Sequence, residues 1–182
     1  MKIALIIITI LVIILICIYG YYGGLKKIDL EVQSKGGETI VYKNVTGAYN
    51  QASNYVGKIH SFLIRNFNIE TTKGIGIFYD NPKNVDKEKL RSDVGCILDN
   101  PEDSTNVIIS EKFQVITLPK GDYIVTEFPM KGNLSILIGV MRVYPALSKY
   151  CQEHGYKDSP VTEIYDFPNK KITFRKEIIK TN

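Results

Sequence analysis

Tryptophan is absent from this 182-residue sequence, histidine occurs twice and cysteine three times. Each scarcity removes a class of chemistry. With His60 and His154 as the imidazoles, no Ser-His-Asp arrangement suggests itself, and no GxSxG turn occurs to carry a nucleophile. Cys17 falls inside an apolar leader, which leaves Cys96 and Cys151 without CxxC spacing. That is too few for a disulfide scaffold. Cys151 and His154 stand one helical turn apart, yet nothing in the sequence brings His60 to them, so no metal site is expected. The stretch "GGETIVYKNVTG" is not a phosphate loop, and no cofactor is expected either. Charge of one sign is not concentrated: 23 Lys and Arg against 19 Asp and Glu are interspersed, giving +4. This excludes the basic stripe of a nucleic-acid surface, and no helix-turn-helix segment is present.

What is present first is a long apolar run. "IALIIITILVIILICIYGYYGG" carries no charge and is long enough to cross a hydrocarbon core of roughly 30 Å. Thirteen Ile, Leu and Val residues lie between Ile3 and Ile18. At roughly −0.4 kcal/mol each they favour insertion by about 5 kcal/mol. Tyr19, Tyr21 and Tyr22 follow where an interfacial aromatic belt belongs. A cleaved signal would need a small-x-small site after a shorter core, and a lipoprotein reading through Cys17 would need small residues where Ile14, Leu15 and Ile16 stand. The leader is therefore expected to be an uncleaved single-pass anchor and the membrane a partner. Lys26, Lys27 and Lys35 follow the span and Lys2 precedes it, which places the remainder in the cytosol, on the endoplasmic reticulum membrane in a eukaryote or the plasma membrane in a bacterium.

The expected organisation is an anchor over 1–24, a juxtamembrane linker over 25–37 and one domain over 38–182. In that domain Ile40, Tyr42 and Val45 recur near period two and predict a strand. Residues 48–67 place Tyr49, Ala52, Val56, Ile59 and Leu63 on one helical stripe. "GIGIFYD" predicts a strand ended by Asn81-Pro82, and residues 92–98 another. The order then repeats. "KFQVITLPKGDYIVTEFP" has strand character, and "NLSILIGVMRVYPALSKYCQEH" predicts a helix with Leu134, Leu137, Met141, Tyr144 and Leu147 inward and a kink at Pro145. "VTEIYDFP" and "KKITFRKEI" close as a hairpin.

Tyr79, Asp80 and Pro82 match Tyr165, Asp166 and Pro168 at a constant offset of 86 residues, and Gly47 stands before the first helix as Gly132 does before the second. The chain thus reads as α+β, a strand-helix-strand-strand unit written twice (about 38–98 and 112–178) about a pseudo-twofold axis. The seam between the halves is the natural concave site.

At these residues the sequence resembles the GyrI-like family (SOUL/GyrI-type, duplicated SHS2) of small-molecule-binding domains. The resemblance rests on "VYKNVTGAYNQ", "GIFYDNP", "LRSDVG" and "EIYDFPNKKITFRKEI". Through "RVYPALSKYCQEHGYKDSPVTEIY" and the anchor it is nearest a membrane-tethered branch that serves as a receptor for autophagy of the endoplasmic reticulum. The resemblance implies binding of a small molecule or a protein partner, with hydrolases in a few branches. It also implies that Glu163, in the closing Glu-x-Tyr strand, faces the ligand cavity. Tyr165 shares that face because strand side chains repeat every two residues. An amphipathic or cationic guest would supply the partner that a buried carboxylate lacks, and as a hydrolase the chain would use Glu163 as general base. Tyr79 and Tyr144 are further ligand-site candidates, each equally readable as core. Arg91 and Asp93 are expected to form a structural ion pair, and Asp80 and Asp166 to cap turns. Asn44 and Asn133 match the glycosylation acceptor pattern, which matters for a lumenal domain alone.

Overall fold

The computed structural model describes residues 2–103 and 112–180; the parts of the expected anchor and domain at 1, 104–111 and 181–182 lie outside the described residues. The apolar run forms α1 (Lys2–Tyr21), none of whose side chains is buried, with a mean hydropathy of 3.2 across its best window. Length and composition fit a membrane span.

Beyond it lie β1 (Glu31–Lys35), β2 (Thr39–Thr46), α2 (Ala52–Phe67), β3 (Lys73–Phe78) and β4 (Arg91–Ile97). These are followed by β5 (Gln114–Thr117), β6 (Gly121–Pro129), α3 (Asn133–Glu153), β7 (Val161–Asp166) and β8 (Lys171–Glu177). All eight strands join one antiparallel sheet in the order β1-β6-β8-β7-β3-β4-β2-β5. The fold is mixed α and β, as expected, and the expected stretch of strand at residues 112–129 is two strands with a bend between them.

That bend shapes the molecule. Lys35 pairs with Gly121 and Thr39 with Thr117, and between them the Gly37 amide donates to the Leu118 carbonyl (2.8 Å) and the Leu118 amide to Glu38 (2.9 Å). The ribbon of β1 and β2 against β5 and β6 is thus continuous, so the two ends of the strand order meet at one corner. Gly36 makes the corner: its φ is 101°, and a Cβ there would fall 2.0 Å from the Pro119 carbonyl oxygen. Residues 31–35 were expected in a linker. They are instead an edge strand, because β6 otherwise presents an open row of backbone groups.

Both helices cover one face of the sheet. Ile59 and Leu63 of α2 pack on Val41, Cys96 and Leu98; Ile138, Val143, Leu147 and Cys151 of α3 pack on Ile124, Phe128, Ile172 and Phe174. Each such aliphatic or aromatic side chain stabilises the fold by about 1.5–3 kcal/mol. Of the stripe expected for α3, Leu147 and Tyr144 face inward and the first three positions do not. Ser135, Ile138, Gly139, Val143, Leu147 and Cys151 are the buried residues, whereas Leu134, Leu137 and Met141 are exposed. The error arises because α3 is apolar on two sides, so hydrophobicity alone does not fix its rotation. Pro145 sits inside a continuous α3 on its exposed side, so the helix does not end or restart there.

Candidate ligand-binding site

Glu163 sits near the centre of the sheet on β7, paired with Gly76 of β3 on one side and Phe174 of β8 on the other. Its side chain points to the helical face, between α2 and α3, and is 2 % exposed. Two phenols satisfy it. Tyr144 of α3 donates from its hydroxyl to Oε1 (2.7 Å), and Tyr165, two residues along the strand, donates to Oε2. Burial pushes the Glu163 carboxyl above its ordinary value, against the opposing pull of the two phenol hydrogen bonds. Burial and the adjacent carboxylate hold both phenols far above theirs, so they remain protonated donors.

The floor opposite is bare. Gly74 and Gly76 stand across β3 from Tyr165 and Glu163, and the ring of Phe78 folds over Gly76, so that a Cβ there would meet it at 2.7 Å. Phe78 packs edge-to-face on Tyr49 (4.8 Å), and Phe174 likewise on Tyr144 (6.3 Å). Val56 of α2 and Phe167 close the rim over Gly74. The seam is therefore a carboxylate among phenols and rings, closed over and internally satisfied.

Of the residues picked from sequence, Glu163, Tyr165 and Tyr144 come together and Tyr79 does not. Tyr79 lies past the end of β3, where its hydroxyl donates to Asp93 (2.6 Å) and Arg91 stands over its ring (6.0 Å). Burial first, then the Asp93 bond, raises its phenol. The expected Arg91–Asp93 pair is likewise replaced. Arg91 grips Asp80 through Nε (3.0 Å) and Nη2 (2.8 Å), while Asp93 accepts from Tyr79 and Asn44. Asp166 caps its turn by accepting from the Asn169 amide (3.1 Å). Tyr49, Phe78, Gly74 and Gly76 were missed. The Gly-x-Gly spacing in "GIGIF" was the available signal, since it strips the side chains from one face of a strand.

A concavity of about 630 Å³ opens on the other face of the sheet, inside the bent ribbon. Its lining is charged, with Lys26, Lys73, Lys171, Glu127 and Asp166 around the buried Arg175, which pairs with the half-buried Glu38 (2.7 and 3.1 Å). Among the described residues no three His, Cys, Asp or Glu side chains lie close enough to hold a metal. His154 stacks on Tyr150 (4.0 Å), away from any such cluster.

Residues 30–179 match the GyrI-like small molecule binding domain. The chain is 32% identical over 162 residues to Testis-expressed protein 264 of Homo sapiens, covering 85% of this chain and 50% of that protein. It is 34% identical over 77 residues to the DNA gyrase inhibitor of Cronobacter sakazakii, covering 40% of this chain and 45% of the inhibitor. Among solved structures, the EcmrR C-terminal domain superposes with a TM-score of 0.54 at 12% identity, over 85% of this chain and 99% of that one. The last likeness is one of fold. The chain spans about half the length of the human and mouse relatives it matches.

Proposed function

This chain belongs to the GyrI-like small-molecule-binding domain family, and we propose that it is a membrane-tethered binding module that takes a small lipophilic cation at the seam between α2 and α3. One observation carries the reading: the buried Glu163 carboxylate, held by the Tyr144 and Tyr165 hydroxyls above a glycine floor. In the closed seam the phenols stand in for a counter-charge. A guest with delocalised positive charge displaces them, pairs with the carboxylate in a low-dielectric setting and stacks its rings on Tyr49, Phe78 and Tyr144. The reading includes the duplication. β2-α2-β3-β4 and β6-α3-β7-β8 follow one order, β3 meets β7 at the sheet centre, and Gly47 and Gly132 both turn with positive φ into their helices. In this reading a pseudo-twofold axis runs between the paired β3 and β7, beside Glu163.

The test is titration of the full chain in detergent micelles with ethidium, a fluorescent aromatic cation, and with an uncharged aromatic of similar size. Saturable binding of the cation is expected. Glu163→Gln should weaken it about tenfold or more, a loss of about 1.4 kcal/mol or more, and leave the uncharged compound unchanged. Equal cation affinity in the variant would remove Glu163 from the site. Because the carboxyl is raised above its ordinary value, cation affinity should climb as pH rises through that raised value.

The competing reading is a hydrolase with Glu163 as general base. Both carboxylate oxygens already accept hydrogen bonds from phenols, which favours binding. A receptor role in autophagy of the endoplasmic reticulum, shared with the anchored branch of the family, extends the same reading to a protein partner; co-isolation from reticulum membranes under starvation tests it.

A further inference from the structure

Leu134, Leu137 and Met141 are 41%, 54% and 68% exposed, and with the exposed Pro145 they make an apolar stripe along the first three turns of α3. A soluble helix of this fold has no use for it, since the opposite side of α3 already supplies the core. We infer that this stripe lies on the lipid surface, so that the binding domain rests on the membrane instead of hanging from a tether. The inference rests on reading α1 as a membrane span.

Continuity with the anchor identifies the occupant. The chain leaving α1 does not swing free but is fastened along α3. Lys131 Nζ donates to the Tyr21 carbonyl (2.9 Å), Ser135 Oγ to that of Tyr22 (3.1 Å), and Arg142 Nη1 to those of Gly23 (3.1 Å) and Lys26 (2.5 Å). Tyr22 packs into the α3 core cluster, and a Cβ on Gly23 would meet Phe128 and Pro129 within 2.8 Å. These contacts run from just before α3 to its third turn, so the end of the span and the proximal half of α3 move as one body. Four hydrogen bonds from three side chains spread over Lys131 to Arg142 fix an orientation that one would not.

The chemistry along the helix fits a bilayer boundary. Lys131 stands over the ring of Tyr21 (4.3 Å), the pairing of aromatic and ammonium groups that suits the headgroup layer. The adjoining Leu25 is 68% exposed, which extends the apolar stripe toward the span. Farther from the anchor the outward positions turn polar, with Ser148, Lys149 and Gln152 exposed and Lys149 paired to Glu153. A helix apolar at its tethered end and charged at its free end lies against the interface at that end. One consequence is a route for a lipophilic guest. Leu137 and Tyr144 are seven residues apart and share a side of α3, so the lipid-facing stripe borders the seam that holds Glu163.

The test uses the full chain in phosphatidylcholine vesicles, in a Cys17→Ser background whose remaining Cys96 and Cys151 are buried, with an environment-sensitive fluorophore on one introduced exposed cysteine at a time. Leu137→Cys and Met141→Cys probe the stripe, Ile10→Cys probes the span and Asn54→Cys probes the exposed side of α2. The expected result is blue-shifted emission, lost to acyl-chain-brominated lipid, at Ile10, Leu137 and Met141, with Asn54 unaffected. Quenching at Ile10 with aqueous spectra at Leu137 and Met141 overturns the inference and leaves the span standing. Aqueous spectra at all four positions remove the span and the inference together. Blue-shifted emission at Leu137 and Met141 that brominated lipid does not quench shows the stripe covered by a second copy, and also overturns it.

Discussion

Glu163 is held by opposing forces, and they separate in experiment. The folded protein keeps its proton to higher pH than the unfolded chain, for which the ordinary value is near 4.5. Across that window the unfolded state binds fewer protons, so the contribution of Glu163 to stability is fully present below about pH 4.5 and is lost as pH rises through the raised value. Glu163→Gln should remove this component, which parallel denaturant titrations of the two proteins across pH would reveal. Tyr144→Phe deletes one of the two donors to a buried carboxyl group. It should cost about 1–3 kcal/mol above the raised value, where the group is ionised, and less below it, where it is protonated. A cost independent of pH would mean that Tyr144 acts through its ring packing against Phe174 and not through its hydroxyl. Glu163 and Tyr165 were legible as a pair because a strand repeats every two residues. Tyr79 looked equivalent by its offset from Tyr165, but it stands past the end of β3, where Asp93 and Arg91 take it.

At the scale of elements, α3 is the instructive case. Its position and extent followed from its sequence, but its rotation did not, because Leu134, Leu137 and Met141 compete with Ile138 and Val143 for the inward stripe. Leu147→Ala should destabilise the domain by about 2–5 kcal/mol, as a cavity under a fully buried side chain does. Leu137→Ala should change stability in solution by under about 0.5 kcal/mol. A loss at Leu137 as large as that at Leu147 in thermal unfolding would restore the rotation read from the sequence. In β4, Gly95 lies so close to β2 that a Cβ would fall 1.9 Å from the Val41 carbonyl oxygen. Gly95→Ala must push two paired strands apart and should cost about 3 kcal/mol or more, visible as loss of folded protein on expression.

For the whole molecule the deciding quantity is topology. Protease digestion of a C-terminal tag on intact membrane vesicles should remove it and leave Asn44 and Asn133 without glycan, if the lysines after α1 lie on the cytosolic side. A protected tag with glycan on those asparagines would reverse the orientation and remove the autophagy reading, since an adaptor must face the cytosol.

The sequence by itself determined the family, the apolar span and the identity and order of most strands and both long helices. These rest on local periodicity, on turn residues and on motifs carried in short stretches, all of which are properties of neighbouring residues. Tertiary structure decided the rest. It turned residues 31–35 from linker into edge strand, because β6 needed a partner 90 residues away. It set which side of α3 faces the sheet, because two apolar sides are equivalent until one finds Phe128 and Phe174. It also gathered the seam, where Tyr144 from a helix, Glu163 from one strand and Gly76 from another meet though they are distant in the chain. Periodicity tells each element which face is apolar; what that face will meet depends on elements the local pattern does not contain.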